Sequence, residues 1–199
     1  VSRPREYSDA LRQQLLETAA HLLATEGPQG LSTRRIAAAA GTSTTAIYSL
    51  IGSKQELVRQ LYLEGFRRLD ARQRAVPLTD DPLADLTSLS SAYHQSALDS
   101  PELYQVMFGS PVPEFRPNPD DATFALGTLQ MCVEAVSRCV DVGVLAGDPE
   151  NIAHEVWAVL HGVTSLELRG MLGPTEAARA RLESVIQAVL EGYRHRSPG

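Results

Sequence analysis

Cysteine, tryptophan and long apolar runs are all scarce in this chain, with two Cys and one Trp in 199 residues. Cys132 and Cys139 stand seven apart on what the spacing reads as a single helix. Their Cα atoms would then lie about 10.5 Å apart along its axis, too far for an intrachain disulfide, so both are expected to be reduced core thiols. The longest apolar runs, such as Val156 to Leu160, fall far short of the roughly twenty residues that span a bilayer. Residues Val1 to Gln14 lack the apolar core of a signal peptide, and a cytoplasmic protein without membrane contact is expected. Catalytic signatures are missing as well. No Gly-x-Ser-x-Gly elbow, phosphate loop or dinucleotide fingerprint occurs. His154-Glu155 opens like a zinc-protease helix, but the position of the second His holds Ala158. No catalytic residue, metal ligand or cofactor is nominated. His161 with Cys132 or Cys139 is the one conceivable cluster. No segment alternates in the manner of a strand, and no repeat appears.

A hydrophobic content of 43% with 21% charged residues is ordinary for a globular chain. The formal charge of −6 hides an asymmetry: residues 1–75 hold 11 Lys/Arg against 7 Asp/Glu, and residues 76–199 hold 7 against 17. A basic front with an acidic rear suits a molecule that presents one end to phosphates. Arg3, Arg5, Arg12, Arg34, Arg35 and Lys54 are the candidate phosphate partners. Arg67, Arg68, Arg72 and Arg74 read as the solvated face of a helix.

The stretch from Gly27 to Leu57 carries most of the functional information. Gly27-Pro28 stops a first helix expected from about Ser8-Asp9 to Glu26. Ser32 is placed to cap a short second helix whose Ile36, Ala37 and Ala40 form a narrow apolar stripe. Gly41 breaks that helix, and a third begins near Ser43 with Ile47 facing inward. Two short helices around a Gly-containing turn have the form of a helix-turn-helix, whose second helix enters the major groove. Thr33, Arg34, Ser43, Thr44, Thr45, Tyr48, Ser49 and Lys54 are compact donors or cations suited to phosphates and base edges. A Ser/Thr-rich helical hairpin inside an ordinary all-α domain has the same periodicity, and periodicity alone leaves both readings open.

The spacing of Leu15-x3-Ala19-x2-Leu22, Gly27, Thr33, Ile36-Ala37, Ala40-Gly41, Ile47-Tyr48 and Ser53-Lys54-x2-Leu57 resembles the N-terminal domain of the TetR family of transcriptional regulators. The resemblance implies a three-helix DNA-binding domain and a fourth helix leading to an all-helical ligand-binding and dimerisation domain. It also implies repression relieved by a small molecule. Three residues depart from the pattern. Thr42 replaces a small aliphatic residue, Leu50 an aromatic or His that touches phosphate, and Ile51 a Phe. The last two exchanges keep the packing and remove one backbone contact.

The remaining chain extends the all-α reading to nine helices in two domains. Ser53-x-x-Glu56 has the form of a capping box and starts helix four, with Leu57, Leu61 and Leu69 on its buried side to about Arg74. Residues 1–54 form the expected DNA-binding domain, helix four (53–75) the link, and 76–199 the second domain, with Pro77 to Pro82 at the boundary. Asp81-Pro82 caps and starts helix five, and Ser100-Pro101 starts a short helix six that ends at Gly109. The eleven residues from Gly109 to Pro119 contain four prolines and read as a loop. Helix seven is expected from Asp120 to Ala146, with Leu126, Leu129, Val133, Val136 and Val140 along one side. Asp148-Pro149 opens helix eight, and Gly173-Pro174-Thr175 opens helix nine, whose stripe is Leu182, Val185, Ile186, Val189 and Tyr193. A polar tail, His195 to Gly199, closes the chain.

Trp157-x3-His161-Gly162 resembles a feature of one group of TetR-type C-terminal domains, and Pro101-Glu-Leu-Tyr-x2-Met107-Phe108 is similar to the helix that accompanies it. Tyr93, Met107, Phe108, Phe124, Met131, Trp157 and His161 supply more large adaptable apolar groups than closing a bundle requires. They read as the lining for a small, mostly apolar ligand oriented by Tyr93 or His161; for His161 the alternative is a hydrogen-bonded core histidine. Ala158, Gly162 and Ser165 of helix eight, with Val185 and Val189 of helix nine, suit a symmetric homodimer that reads a palindromic site on double-stranded DNA. A small-molecule carrier or enzyme without a DNA role, and a ligand-independent regulator or activator, are the alternatives.

Overall fold

The computed structural model describes residues 3–109, 112 and 115–194, and for residues 3–7 the backbone alone. Nine α-helices and no strand occur among the described residues: α1 Arg3–Glu26, α2 Thr33–Ala39, α3 Thr44–Leu50, α4 Lys54–Arg74, α5 Pro82–Asp99, α6 Pro101–Phe108, α7 Pro119–Asp141, α8 Pro149–Leu168 and α9 Thr175–Gly192, with a 3-10 turn at Gly27–Gly30. The chain divides into two compact units, Val1–Arg67 with Ser100–Ala122, and Arg68–Asp99 with Thr123–Gly199. Among the described residues no helix is long and apolar enough to cross a membrane. The expected tail His195 to Gly199 lies outside the described residues.

In the first unit, α1 packs on α2, α3 and α6. Leu15, Leu31, Ile36, Ile47, Leu57 and Leu61 are its fully buried centre. In the second, α8 packs on α5 and α9, around Leu86, Val136, Ile152, Val156 and Ala178. The starts of α5 and α8 follow the expected caps. Asp81 Oδ1 accepts from the Leu83 and Ala84 amides, and Asp148 Oδ1 accepts from Asn151 N, satisfying donors that a first turn leaves without helical partners.

Three expectations are corrected. α1 begins at Arg3, so Ser8 lies inside it; Pro4 is tolerated in a first turn, where no intrahelical N–H bond is lost. α7 stops at Asp141 instead of Ala146. Gly143 adopts φ +75°, and the amides of Val144 and Leu145 turn back onto the Cys139 carbonyl, closing the helix end. The buried side of α7 is also rotated from the expected stripe. Leu126 is 62% exposed, and the buried residues run Asp121, Thr128, Ala135, Val136 and Cys139. Two of these are polar, and both are satisfied: Asp121 by the Arg59 guanidinium, and the Thr128 hydroxyl by donating to the Ala125 carbonyl. A hydrophobic periodicity cannot find a buried face that is partly polar.

Candidate nucleic-acid interface

Three helix starts of the front unit are set by serines. Ser32 Oγ accepts from Arg35 N at 3.3 Å, Ser43 Oγ from Ala46 N at 3.1 Å, and Ser53 Oγ from Glu56 N at 3.1 Å. These caps start α2, α3 and α4. Glu56 directs its Oε1 forward to Arg59 and Gln60, in place of the reciprocal half of a capping box. The turn between α2 and α3 depends on Gly41, whose φ of +65° strains any residue with a Cβ. Gln14 Nε2 donates to the Ala40 carbonyl at 3.3 Å and ties α1 to this turn.

This frame sorts the residues of α3. Ile47 is 1% exposed and seats the helix on α1, with Ile51 buried beside it, so the Ile at that position keeps the packing. Thr45, Tyr48 and Ser49 face outward, and Tyr48 is 59% exposed. An aromatic ring left so open one turn from a buried isoleucine is unusual for core packing and suits a contact with another molecule. Thr44 is half-buried, Ser43 is exposed while its oxygen serves the cap, Thr33 is half-buried, and Arg34 and Lys54 are exposed. Leu50 is half-buried.

The other basic candidates divide. Arg35 pairs with Glu26 at 2.8 Å, and Arg12 Nε donates to Gln60 Oε1 at 3.1 Å. Both guanidinium groups are thus drawn into contacts inside the unit. The side chains of Arg3 and Arg5 lie outside the described residues. Arg67 and Arg74 pair with Glu64 and Asp70 on their own helix, and Arg72 pairs with Asp99. Sequence reasoning missed the polar series behind the interface: Arg12, Gln60, Glu56, Arg59 and Asp121. Arg59 grips Asp121 with two bonds of 2.8 Å while donating to Glu56 at 3.1 Å. Gln60, buried between Val58 and Leu61 on α4, was the one available signal, a polar residue inside an apolar face.

The residues expected to line a ligand pocket are distributed over several places. Met107 and Phe108 belong to the first unit, where the Phe108 ring packs on Phe66 and Tyr104 at centroid distances of 5.5 and 5.0 Å. In the second unit the Tyr93 hydroxyl meets His161 Nδ1 at 3.2 Å, and the Trp157 ring lies 6.1 Å from that imidazole. Burial holds the His161 pKa below its ordinary value, so the ring is neutral at pH 7, and its Nε2 meets Ser165 Oγ at 3.4 Å. Phe124 is over a third exposed. Met131 lines a separate cavity of about 360 Å³ with Gln73, Leu89 and Ala135. Among the described residues no group of His, Cys, Asp and Glu could hold a metal ion. Burial raises the Cys132 thiol to about 12, which keeps it unreactive.

Comparison with known proteins gives matches at both ends of the chain. Residues 15–61 match bacterial regulatory proteins of the tetR family, and residues 86–189, more than half of the chain, match the tetracyclin repressor-like C-terminal domain. The HTH-type transcriptional regulators Rv1816 of Mycobacterium tuberculosis and Mb1846 of Mycobacterium bovis are 27% identical over 154 residues, 74% of this chain and 63% of theirs. The matched part thus spans less than two thirds of those relatives. A protein of unknown function from Rhodococcus sp. RHA1 superposes with a TM-score of 0.80 at 26% identity, over 93% of this chain and 96% of that one. A tetR family transcription regulator from Shewanella sp. PV-4 shares the fold, with a TM-score of 0.70 at 24% identity over 94% of this chain and 99% of that one.

Proposed function

Because the chain belongs to the TetR family of helix-turn-helix transcriptional regulators, which are not enzymes, we propose that it is a repressor that binds a palindromic operator as a homodimer. The observation that carries this reading is the outer face of α3, where Thr45, Tyr48 and Ser49 stand open above a buried Ile47. Thr44, Thr45 and Ser49 read base edges. Tyr48, Ser43, Thr33, Arg34 and Lys54 hold phosphates, Lys54 adding its charge to the first turn of α4. Residues 1–54 act as the DNA-binding domain, 53–75 as the connecting helix and 76–199 as the ligand-binding and dimerisation domain, in the cytoplasm. The two compact units are grouped by packing, whereas this division follows function.

A single recognition helix reads too few base pairs for useful selectivity, so two are required, about 34–36 Å apart or a multiple of it. α8 and α9 supply the dimer face. Ala158 is exposed and a Cβ added at Gly162 would meet open space. Leu166 and Val185 are exposed and line an open groove with Val163 and Leu172. Unpaired apolar surface of this kind is consistent with a partner helix pair. A small, mostly apolar molecule relieves repression by favouring a head spacing that does not fit DNA. A differential of about 2.7 kcal/mol lowers operator affinity roughly a hundredfold. Tyr93, Met107, Phe108, Phe124, Met131, Trp157 and His161 remain the proposed contacts.

The test is retention of the pure protein on DNA carrying inverted repeats, measured against salt. Sequence-selective binding that weakens steeply with salt is expected, and a carrier shows neither property. Gly162→Arg should give monomers by sedimentation and lose operator binding. A monomer of the unmodified chain at micromolar concentration would refute the dimer.

A further inference from the structure

The first turn of α4 is tied to other helices instead of being closed on itself. Ser53 Oγ accepts from Glu56 N at 3.1 Å, and in a capping box the Glu side chain would bond back to the serine amide. Here Glu56 Oε1 accepts from Arg59 Nη1 at 3.1 Å and from Gln60 Nε2 at 3.2 Å. Gln60, 5% exposed, accepts through its own Oε1 from Arg12 Nε of α1 at 3.1 Å. Arg59 continues in the other direction, with Nε and Nη2 each 2.8 Å from an oxygen of Asp121 in the first turn of α7. All five side chains belong to the first compact unit.

The Asp121 end is held most firmly. Asp121 is 3% exposed, and Asn118 Oδ1 accepts from its backbone N at 2.8 Å, fixing the turn that presents it. Tyr62, buried one turn beyond Arg59 on α4, packs its ring 5.6 Å from that of Phe115. Burial, and then the charge of Asp121, hold the Tyr62 pKa above its ordinary value. A carboxylate so enclosed is costly without a partner, and two parallel bonds to a planar guanidinium fix direction as well as distance. Arg59 is thereby kept in place, and through Glu56 it holds the turn from which the exposed Lys54 projects.

We propose that Asp121 is a positioning residue for DNA binding: a buried carboxylate of α7 that, through Arg59 and Glu56, sets the first turn of α4 and with it Lys54 against the phosphates. Asp121 is too deeply buried to touch DNA itself, and it stands 62 residues from Arg59 in the chain. The proposal rests on the reading of Lys54 as a phosphate contact and deepens it with a residue outside the helix-turn-helix.

The sign of one substitution tests this. Asp121→Asn keeps the shape and removes a negative charge, which by long-range electrostatics alone would tighten binding to DNA. Loss of position predicts the reverse. On a duplex selected by the unmodified protein from random sequences, Asp121→Asn should bind about tenfold weaker. The slope of log affinity against log salt should fall by about one unit, as for Lys54→Ala. In the Lys54→Ala background the same change should cost no more than about twofold. Binding is measured at a temperature at which circular dichroism shows every variant folded. Unchanged or tighter binding, an unchanged slope, or equal losses in both backgrounds would overturn the proposal, because a pair that only stabilises the fold alters the melting temperature alone. Should Asp121→Asn fail to fold, Arg59→Lys decides, since it keeps every charge and loses the fork. Weaker binding with a lower slope is again expected, and no change in either overturns the proposal. An unchanged slope in Lys54→Ala, or no duplex selected at all, would sink the reading on which the proposal rests and the proposal with it. A slope lowered by Lys54→Ala but not by Asp121→Asn sinks the proposal alone.

Discussion

The helix starts of the helix-turn-helix front and the contacts between helices of the second compact unit use hydrogen bonds in opposite ways. In the front, side-chain bonds from Ser32, Ser43 and Ser53 each reach three residues along the chain. They start α2, α3 and α4 and leave the outer face of α3 open. In the second unit buried and part-buried bonds join distant segments: Gln73 to Thr128, Arg138 to Asp85, Tyr93 to His161, and His94 to Glu167 at 2.6 Å across 73 residues. The first pattern builds a surface for another molecule. The second specifies how helices pack, because a buried polar group without its partner costs more than one in water. Local bonds can therefore be exchanged with modest loss, whereas long-range buried ones cannot.

The largest expected effect tests that contrast directly. His94→Ala leaves Glu167, with 6% side-chain exposure, without its partner and should destabilise the protein by about 2–3 kcal/mol in denaturant titrations. Ser43→Ala, which removes a cap at the surface, should cost about 1 kcal/mol. If the two costs are equal, the contrast between the regions collapses. Lys54→Ala should leave stability nearly unchanged and lower the salt slope of DNA binding by about one unit, whereas Thr45→Ala should alter base preference. An unchanged slope would remove Lys54 from the interface.

The smallest effects are in pH. Thr79 and then Arg138 hold the Asp85 carboxyl at about 2, below its ordinary 3.8. Its contribution to stability is thus complete above about pH 4 and is lost as pH falls toward 2. Burial lowers the His161 pKa from 6.5, so the unfolded chain takes up the proton first and stability falls slightly as pH drops below 6.5. Thermal melts of Asp85→Asn should lose the acid step, and those of His161→Gln the step nearer neutrality.

Sequence alone determined the all-α class, most helix starts, the turn at Gly41 and the inward face of Ile47. Each depends on residues within a few positions of one another, where caps, backbone sterics and helical periodicity act. The same local signals misplaced the start of α1 and the end of α7, because Ser8 can cap but need not, and Gly143 acts only once its left-handed conformation is adopted. Tertiary structure decided which face of α7 is buried, since Asp121 becomes acceptable inside only when Arg59, 62 residues away, meets it. It likewise decided that the exposed Arg12 and Arg35 meet Gln60 and Glu26, and that Gln73 is left with an unmatched buried oxygen. Such outcomes depend on which distant partner arrives, and the energy of a buried polar group is set by that partner more than by its own neighbours in the chain.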